Sequence, residues 1–498
     1  MLLLGIDIGT TNSKAGLFDA QGRAVATESR PTAVREHPDG YLYYDPEEMW
    51  ERVAAAIRAV LERADGRPVV AVGIAGMAES GLLVDAATGT PRSPFMPWFD
   101  RCTQPQAERI GREADAFERF CATGLRNSFK LGLAKLLWIR ERFPEAFGGS
   151  RWLSAAGYVA YRLTGAMAVD YSLAARTFAF RIDKKAWDDG WIRHFGLDPA
   201  VFPPAVPSLE PVGRTVEGAA GLAGGIPVCI AGHDHVVAAL AAGAVGPGVV
   251  YDSMGTAETL VGAFGERPLG RGDFETGLSF GCHVAPGRLF WMGGNSASGG
   301  SVEWLRKLLA DEALDYDRLL AMLDERGPEP TGILYYPYLS GSGAPQPDPA
   351  AKAAFVGLTA KTTKADLVLA VLEGTAYQLE SIRRAAEKAA GGPIGRLVVS
   401  GGGTRNPHWI RTKADVLNCE LELMPTAEAT LLGAALAAGI GAGVFASAEE
   451  AASSVRSGGG TVIRPDARRH AVYRRLYETG YEPLREAIVR FSRAAADG

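Results

Sequence analysis

The sequence predicts an α/β protein made of two similar halves, each with a mixed β-sheet. Three short apolar runs separated by turn residues, at 2–7, 14–18 and 23–28, predict an antiparallel meander. Asp45 then precedes a proline and apolar residues at helical spacing, which predicts a capped helix, and residues 69–74 predict a buried strand. A meander followed by a crossover helix and another strand is typical of a layered α/β fold.

The same order of elements returns in the second half of the chain. Strands are predicted at 249–252 and 258–263 on either side of a turn. Asp7-Ile-Gly-Thr in the first hairpin therefore corresponds to Asp252-Ser-Met-Gly-Thr in the second, with loops that differ by one residue. Further along, the pattern predicts a helix at 364–390, a strand at 396–400, a helix at 409–418, a strand at 420–424 and a helix at 429–439, as expected for a second α/β layer.

The chain divides most naturally at Gly246-Pro247-Gly248, where two glycines flank a proline. We expect a first domain over residues 1–246, a second domain over residues 247–445 and a helical extension over residues 446–498 that packs on the second domain. Within the extension, residues 457–460 predict a flexible spacer before a final charged helix.

The bulk composition is that of a globular protein in the cytoplasm. The 498 residues are 47% hydrophobic and 22% charged with a net charge of −5, and no basic stripe suggests a nucleic-acid surface. The longest apolar stretch, 226–251, contains His233, Asp234 and His235, which argues against a membrane span. Five scattered cysteines without a CxxC pair favour a reducing compartment. We expect binding to neither nucleic acid nor membrane.

The first hairpin loop carries the groups that bind a polyphosphate. Glycine lets the backbone approach a ligand, while turn amides and hydroxyls donate to phosphate oxygens. Asp7, at the end of the preceding strand, would hold Mg²⁺ through water. An ordinary Gly-Thr hairpin is the alternative, but the repeat at 252–256 favours two phosphate loops that face a cleft. The predicted phosphate-binding residues of the first loop are Gly9, Thr10, Thr11, Asn12 and Lys14.

The most specific pattern in the chain is Ala353–Leu358 followed, after seven residues, by Asp366–Glu373. It resembles the second signature of the FGGY family of carbohydrate kinases, within the superfamily of actin-like ATPases. The first signature is weaker, because Lys135–Glu141 fits but Gly132 stands where Pro, Ser or Thr is expected. The resemblance implies two ribonuclease-H-like domains with a cleft between them, ATP as the phosphoryl donor and Mg²⁺ as a cofactor.

Asp234 stands where the family has its catalytic aspartate. It follows a predicted strand, so its carboxylate would project into the cleft and accept the proton of an attacking hydroxyl. The resemblance also makes Asp234, with Asp7, a candidate Mg²⁺ ligand. Read without the resemblance, Asp234 is equally a helix N-cap. His233 and His235 would share a face of an extended segment, but zinc needs a third protein ligand, which the nearby sequence does not supply.

The second half supplies the remaining nucleotide contacts that the resemblance implies. The second hairpin loop contributes phosphate contacts, and a Gly-rich turn between a strand and a helix lines the adenine pocket in the family. The residues are Gly255, Thr256, Gly402, Gly403 and Asn406.

The expected sugar contacts lie at strand ends of the first half. Kinases of this family for xylulose carry Gln-Met-His where this chain has Met77-Ala78-Glu79, and Glu79 could accept two hydroxyls. Trp98-Phe-Asp100-Arg101 resembles the family's Trp-Asn-Asp-x-Arg stretch, with an aromatic platform beside an Asp-Arg pair. A core tryptophan next to a surface ion pair is the alternative for this stretch.

These patterns together predict an ATP-dependent carbohydrate kinase that phosphorylates a hydroxyl of a ketose such as xylulose or ribulose. A deoxyketose (fuculose or rhamnulose) or a polyol is the second choice of substrate. An actin-like nucleotide-binding switch without a kinase reaction is the non-enzymatic alternative. The sequence leaves open whether the protein forms a homodimer.

Overall fold

The two predicted halves are present as two similar mixed sheets. The structure, a computed structural model, describes residues 1–309, 314–456 and 460–495. Residues 457–459 of the predicted spacer lie outside the described residues. The strands of the first half are β1 (Leu2–Ile8), β2 (Asn12–Phe18), β3 (Ala24–Pro31), β4 (Val34–Glu36), β5 (Leu42–Tyr44), β6 (Val69–Gly76), β7 (Gly81–Asp85), β8 (Ser150–Ser154), β9 (Val169–Asp170), β10 (Phe180–Arg181), β11 (Ala186–Trp187), β12 (Ala205–Val206), β13 (Pro211–Arg214) and β14 (Pro227–His233).

The helices of the first half are α1 (Pro46–Leu61), α2 (Gln104–Glu113), α3 (Ala116–Thr123), α4 (Gly132–Arg142), α5 (Ala155–Thr164), α6 (Tyr171–Ala175), α7 (Asp189–His194) and α8 (Asp234–Ala241). The strands of the second half are β15 (Val249–Met254), β16 (Glu258–Gly265), β17 (Ser279–Cys282), β18 (Arg288–Asn295), β19 (Leu334–Tyr336), β20 (Ala354–Val356), β21 (Arg396–Ser400), β22 (Glu420–Leu423) and β23 (Val462–Ile463). Its helices are α9 (Arg271–Glu275), α10 (Gly299–Leu308), α11 (Tyr316–Arg326), α12 (Lys364–Ala390), α13 (Pro407–Leu417), α14 (Ala429–Gly441), α15 (Ala448–Arg456), α16 (Ala467–Leu476) and α17 (Glu482–Ala494).

The two large sheets share one pattern of strand directions. The first has the order β13-β14-β6-β1-β2-β3, and the second has the order β17-β18-β16-β15-β21-β22-β23. In each, an antiparallel hairpin (β1–β2 or β15–β16) is followed by parallel pairing of its first strand (β1 with β6, or β15 with β21). The predicted repeat of the hairpins is therefore a repeat of the whole sheet. Because parallel strands end on the same side, the loops after β1, β6 and β14 converge at one edge.

Helix α14 packs on the sheet of the first half, although it lies in the second half of the sequence. The backbone of α14 lies so close to the strands and to helix α8 that three glycines at these contacts have no room for a side chain. A Cβ atom on Gly73 of β6 would lie 1.9 Å from the carbonyl oxygen of Ala434, and one on Gly5 of β1 would lie 2.0 Å from that of Leu431. Gly433 of α14 approaches Val237 of α8 equally closely. Small residues on both surfaces thus allow backbone-to-backbone packing.

The predicted helical extension packs on both sheets, not on the second alone. Helix α15 contacts α8 and α14 beside the first sheet, and Val455 fills the space next to Gly22. Helix α16 packs on α13 of the second half. The following π-helical turn, Tyr477–Tyr481, stacks Tyr481 on Tyr336 with ring centroids 4.5 Å apart. Within the described ranges, no helix has both the length and the apolar character that a membrane span requires.

We expect Gly73→Ala to lower the free energy of unfolding by about 3 kcal/mol, because the new methyl group must push α14 off β6. Thermal and denaturant unfolding of the whole chain would measure the loss. Gly272→Ala is the matched control, since a Cβ atom at Gly272 meets nothing within 4 Å. Equal stability of the two variants would contradict the packing described here.

Candidate active site

Asp234 lies at the junction of a buried strand and a helix. Strand β14 ends at His233, and Asp234 is the first residue of α8, where its Oδ1 accepts a hydrogen bond from the amide of His235 at 2.7 Å. Its side chain is one quarter exposed, whereas His233 is buried with Nε2 3.2 Å from the same oxygen. Burial lowers the pKa of His233 to about 3, so the imidazole is neutral and leaves Asp234 as the charged group of the pair.

A buried polar network shapes this junction. Gly232 has a φ of +121°, and a Cβ atom there would lie 2.4 Å from Oγ of Ser172. That hydroxyl accepts a hydrogen bond from the amide of His233 at 2.9 Å and donates to Asp170 at 2.5 Å. Ser208 donates to the same oxygen of Asp170 at 2.7 Å. The network joins α6 to the end of β14 and so sets the direction in which Asp234 leaves the strand.

Asp7, at the end of β1, is the second carboxylate of this edge. The residue is partly exposed, but its Oδ1 is buried and has no hydrogen-bond partner among the described residues. Burial, followed by the nearby charge of Asp234, raises the pKa of Asp7 to about 8, while Lys14 opposes the rise. A carboxylate with a buried, unpartnered oxygen, beside a second carboxylate, is a site that favours a cation with oxygen preference.

The first hairpin loop is tightly folded, and three of its predicted contacts, Gly9, Thr10 and Lys14, already have partners within the protein. The amide of Gly9 donates to the carbonyl of Asn12 at 3.0 Å, while Thr11 is exposed. The hydroxyl of Thr10 accepts a hydrogen bond from Nε1 of Trp98 at 2.8 Å. Nζ of Lys14 lies 2.8 Å from a carboxylate oxygen of Glu428, so in this structure its charge is paired within the protein.

The second hairpin loop borders a cavity of about 780 Å³, called here the glycine-lined cavity. Four of the predicted nucleotide contacts line it, namely Gly255, Thr256, Gly402 and Gly403, together with Tyr316, Asp317 and Trp409. Asn406 does not line it, which corrects the sequence-based prediction. Its buried side chain caps α13 by accepting from the amide of Trp409 at 3.1 Å, so it supports the glycine turn from behind.

The counterpart of Asp7 in the second half is a structural residue. Asp252 is fully buried, with its carboxylate 3.2 Å from Nζ of Lys413. Lys413 is also buried and also pairs with Glu258. The first hairpin therefore carries an aspartate that forms no ion pair within the described residues, whereas the aspartate of the second hairpin belongs to a buried ion-pair cluster.

A cavity of about 350 Å³, called here the central cavity, lies between the two halves beside Asp234. The first half contributes predicted contacts to its wall, namely Thr10, Met77, Glu79, Trp98 and Asp234. The second half contributes, among others, Thr259, Ser279, Met292 and Pro347. The predicted cleft thus exists, and four of the six residues predicted to bind the acceptor lie on it.

Asp100 and Arg101 are not among the residues that line the central cavity, so their predicted contact with the acceptor stays a prediction. Asp100 caps the short 3-10 helix that follows it, accepting from the amides of Cys102 at 3.0 Å and Leu42 at 2.8 Å. Arg101 points to another surface, with its guanidinium 5.1 Å from the centre of the Phe129 ring.

Two cations of the central cavity were missed by the sequence analysis. Arg176, just after α6, has Nε 2.7 Å from Oε1 of Glu79, and its Nη2 contacts the same oxygen. Glu79 has a φ of +59°, a conformation in which it reaches Arg176. Lys130, in the loop before α4, places its ammonium 4.9 Å from the centre of the Trp98 ring. A lone lysine in a loop gives no local signal of such a position.

Comparison with known proteins agrees with this geometry. The model of the FGGY family of carbohydrate kinases matches the chain in its N-terminal domain over residues 2–241 and in its C-terminal domain over residues 250–442. The chain therefore belongs to the FGGY family of carbohydrate kinases. Members of this family are ATP-dependent phosphotransferases with two actin-like ATPase domains, as the sequence signatures predicted.

Named relatives differ in the substrate that their names give. A glycerol kinase from Thermus brockianus is 33% identical over 491 residues, which cover 95% of this chain and 96% of the relative. A crystal structure of a xylulose kinase from Rhodospirillum rubrum has a TM-score of 0.89 and 28% identity, and covers 99% of this chain and all of that one. A Plasmodium falciparum glycerol kinase crystallised with ADP shares the fold, with a TM-score of 0.87, 21% identity and coverage of 97% and 98%. The family assignment favours the kinase over the nucleotide-binding switch.

We expect Gly232→Ala to lower kinase turnover by roughly 10- to 100-fold, because the methyl group would displace Ser172 and rotate Asp234 away from its position. Steady-state kinetics and thermal unfolding should be measured together. Gly225→Ala is the control, because Gly225 also has a positive φ, of +85°, but faces open space. An equal loss of turnover in both variants would show that backbone strain, not the network, is responsible.

Proposed function

We propose that the protein transfers the γ-phosphoryl group of ATP to a hydroxyl of a small polyhydroxylated acceptor held in the central cavity. The observation that carries this proposal is that Asp234 and Thr10 of the first hairpin loop line that cavity, while Asp7 lies close enough to Asp234 for the two charges to interact. A cavity of about 350 Å³ lies at the small end of the range for ligand sites, which suits a small sugar.

In the proposed reaction, Asp234 is the general base. The acceptor oxygen forms a bond to the γ-phosphorus, the bond from that phosphorus to the β–γ bridging oxygen breaks, and its electron pair leaves with ADP. The proton of the acceptor hydroxyl passes to Asp234. His233 is neutral and buried, so its contact with Oδ1 orients the carboxylate without adding a positive charge. The network through Ser172 holds the backbone of His233, the residue immediately before Asp234.

The residues present fit a magnesium ion. The buried, unpartnered Oδ1 of Asp7, with Asp234 nearby, offers the hard oxygen ligands that Mg²⁺ prefers, and one or two carboxylates with substrate phosphates are its usual set. Bound there with ATP, Mg²⁺ would neutralise charge on the transferring phosphates. We propose Asp7 and Asp234 as the residues that hold it.

For ATP we propose the glycine-lined cavity, with its phosphates directed to the two hairpin loops. The absence of side chains at Gly402 and Gly403 leaves the turn open to the nucleoside, and Trp409 supplies an apolar surface. Asn406 supports this turn rather than contacting the nucleotide. Lys14 would contact phosphate only after its ion pair with Glu428 breaks. Closure of the two halves around the substrates would allow this change of partner.

The domain division that we propose keeps residues 1–246 and 247–445 as the two domains. Helix α14 then belongs to the second domain by sequence but packs on the sheet of the first domain. Residues 446–498 form an extension in contact with both domains. A cytoplasmic location, where ATP is available, is part of the same proposal.

For the acceptor, a ketose such as xylulose or ribulose is the proposal that the sequence supports. The likeness to a xylulose kinase structure over the whole chain favours it. Glycerol is a second candidate, because the relative that is 33% identical over 95% of this chain is named a glycerol kinase. Coupled measurement of ADP release with ketoses, deoxyketoses and polyols would decide between them, and ADP release that no acceptor stimulates would refute the proposed function.

We expect Asp234→Asn to lower turnover by roughly 10²–10⁴-fold while ATP still binds, since the change removes the base but keeps the size of the side chain. Rates of ADP release at saturating substrates and calorimetric titration with ATP would test this. Asp39→Asn is the control, because the Asp39 side chain is 62% exposed, far from both cavities. Near-normal turnover of the Asp234 variant would exclude this residue as the base.

We expect Gly255→Val to weaken ATP binding by at least about 10-fold, or ~1.4 kcal/mol, and to leave acceptor binding nearly unchanged. A side chain at Gly255 would already meet the carbonyl of Ala257 at 3.1 Å, and its branches would enter the glycine-lined cavity. Gly265→Val, where a Cβ atom has no neighbour closer than 4.0 Å, is the control. Parallel loss of ATP and acceptor binding would indicate misfolding instead.

A further inference from the structure

The charges of the central cavity are unbalanced at the end formed by Glu79, Arg176, Lys130 and Trp98. Arg176 is 9% exposed and uses Nε and Nη2 on Glu79, so this carboxylate is already neutralised. Its Nη1 is buried and has no hydrogen-bond partner among the described residues. Two of the five N–H donors of this buried guanidinium are therefore unused, although buried charged groups are normally fully hydrogen-bonded.

Lys130 adds a second cation without an anionic partner. Within the described ranges, its ammonium forms no ion pair and no side-chain hydrogen bond, and its contact is the face of Trp98. A cation–π contact does not neutralise the charge. Burial lowers the pKa of Lys130, and Arg176 and Arg101 lower it further against the opposing effect of Glu79. The charged form of Lys130 is therefore destabilised in this site, and a bound anion would offset that destabilisation.

A third positive charge lies behind these two. Lys135 of α4 is fully buried, and its ammonium donates to the carbonyl of Lys130 rather than to a carboxylate. Burial lowers its pKa to about 8. Three cations therefore lie at this end, where Glu79 acts on both lysines and Asp100 acts on Lys135 as well.

We propose that the acceptor carries a carboxylate, so that it is a polyhydroxylated acid of the aldonate type rather than a neutral ketose or polyol. Lys130 and Nη1 of Arg176 would bind its carboxylate by charge-assisted hydrogen bonds, while a hydroxyl at the other end of the molecule faces Asp234. Ser279 and Thr259 of the opposite wall offer hydroxyls for the middle of the chain. This inference rests on the proposed kinase reaction and narrows its substrate class.

The arrangement also explains why an anionic substrate would not be repelled by the phosphoryl donor. The carboxylate is held at the cationic end, and the hydroxyl end alone approaches Asp234 and the ATP phosphates. A neutral polyol of the same length would leave Lys130 and Nη1 of Arg176 uncompensated in a partly desolvated site. Such a site rejects the analogue that lacks the recognised group more strongly than an apolar pocket could.

The test compares acids with neutral acceptors of equal carbon number in the coupled ADP assay: glycerate with glycerol, xylonate with xylitol, gluconate with glucitol, and the ketoses xylulose and ribulose. We expect the best acid to exceed its neutral partner in kcat/KM by about 10- to 100-fold, the range for a hydrogen bond to a charged group. Lys130→Gln should remove most of this preference, chiefly through a higher KM for the acid, while the KM for ATP changes little. Lys361→Gln, at an exposed lysine, is the control.

A second variant, Lys130→Glu, distinguishes loss of carboxylate recognition from a folding defect. Lys130→Glu should favour the neutral acceptor over the acid while its thermal unfolding stays near that of the parent. Faster turnover of ketoses or polyols than of every acid would overturn the carboxylate inference and leave the kinase proposal standing. A preference for acids that survives in both Lys130 variants would also overturn it. Turnover of none of these acceptors would overturn the inference together with the proposed function.

Discussion

The close packing of α14 on β1 and β6 is the constraint on which the active site depends. Gly5 and Gly73 bring the helix backbone onto the strands, and Gly433 brings it onto α8. These are the elements whose ends carry the chemistry, because β1 ends beside Asp7, β6 leads into the loop with Glu79, and α8 begins with Asp234. Backbone-to-backbone contact leaves little freedom to slide, so the relative positions of these residues follow from the packing of one helix.

The two halves show how a repeated scaffold acquires different functions. Both sheets place an aspartate at the end of the first hairpin strand, at Asp7 and Asp252. In the first half this carboxylate is left without a partner beside Asp234, whereas in the second half Lys413 occupies the space and closes it. A buried ion pair of this kind adds structural definition, since removal of one partner would leave an uncompensated charge. The proposed catalytic residues thus lie in the first half, and the glycine-lined cavity is formed by the second.

Much of the fold could be predicted from the sequence because its signals are local and periodic. Helix α12 and strand β21 have the predicted bounds, and both hairpins occur where turn residues separate apolar runs. The acceptor end of the site could be predicted only in part. Asp100 and Asn406 have side chains that serve equally as helix caps or as ligand contacts, and the local sequence does not distinguish the two uses. The family comparison cannot distinguish them either, because it identifies the fold and the reaction rather than each contact.

The cations at the acceptor end were missed for a different reason. The positions of Arg176 and Lys130 result from contacts between segments far apart in the chain, with Glu79 in one case and Trp98 in the other. No period or spacing within a short window encodes such contacts. The left-handed backbone of Glu79 is likewise a product of tertiary packing, since an isolated glutamate rarely adopts it.

The position of α14 also has a consequence for how the chain folds during synthesis. The first sheet is complete in sequence once β14 and α8 have left the ribosome, but its apolar face against α14 stays open until the whole second half has been made. At typical translation rates that interval lasts roughly 10 to 40 seconds. During this time the face of the first half that α14 later covers is exposed to solvent. Folding of the first half must therefore either wait for α14 or rely on a chaperone that shields this face. Fusion or truncation at the predicted boundary near residue 246 would make this transient state permanent.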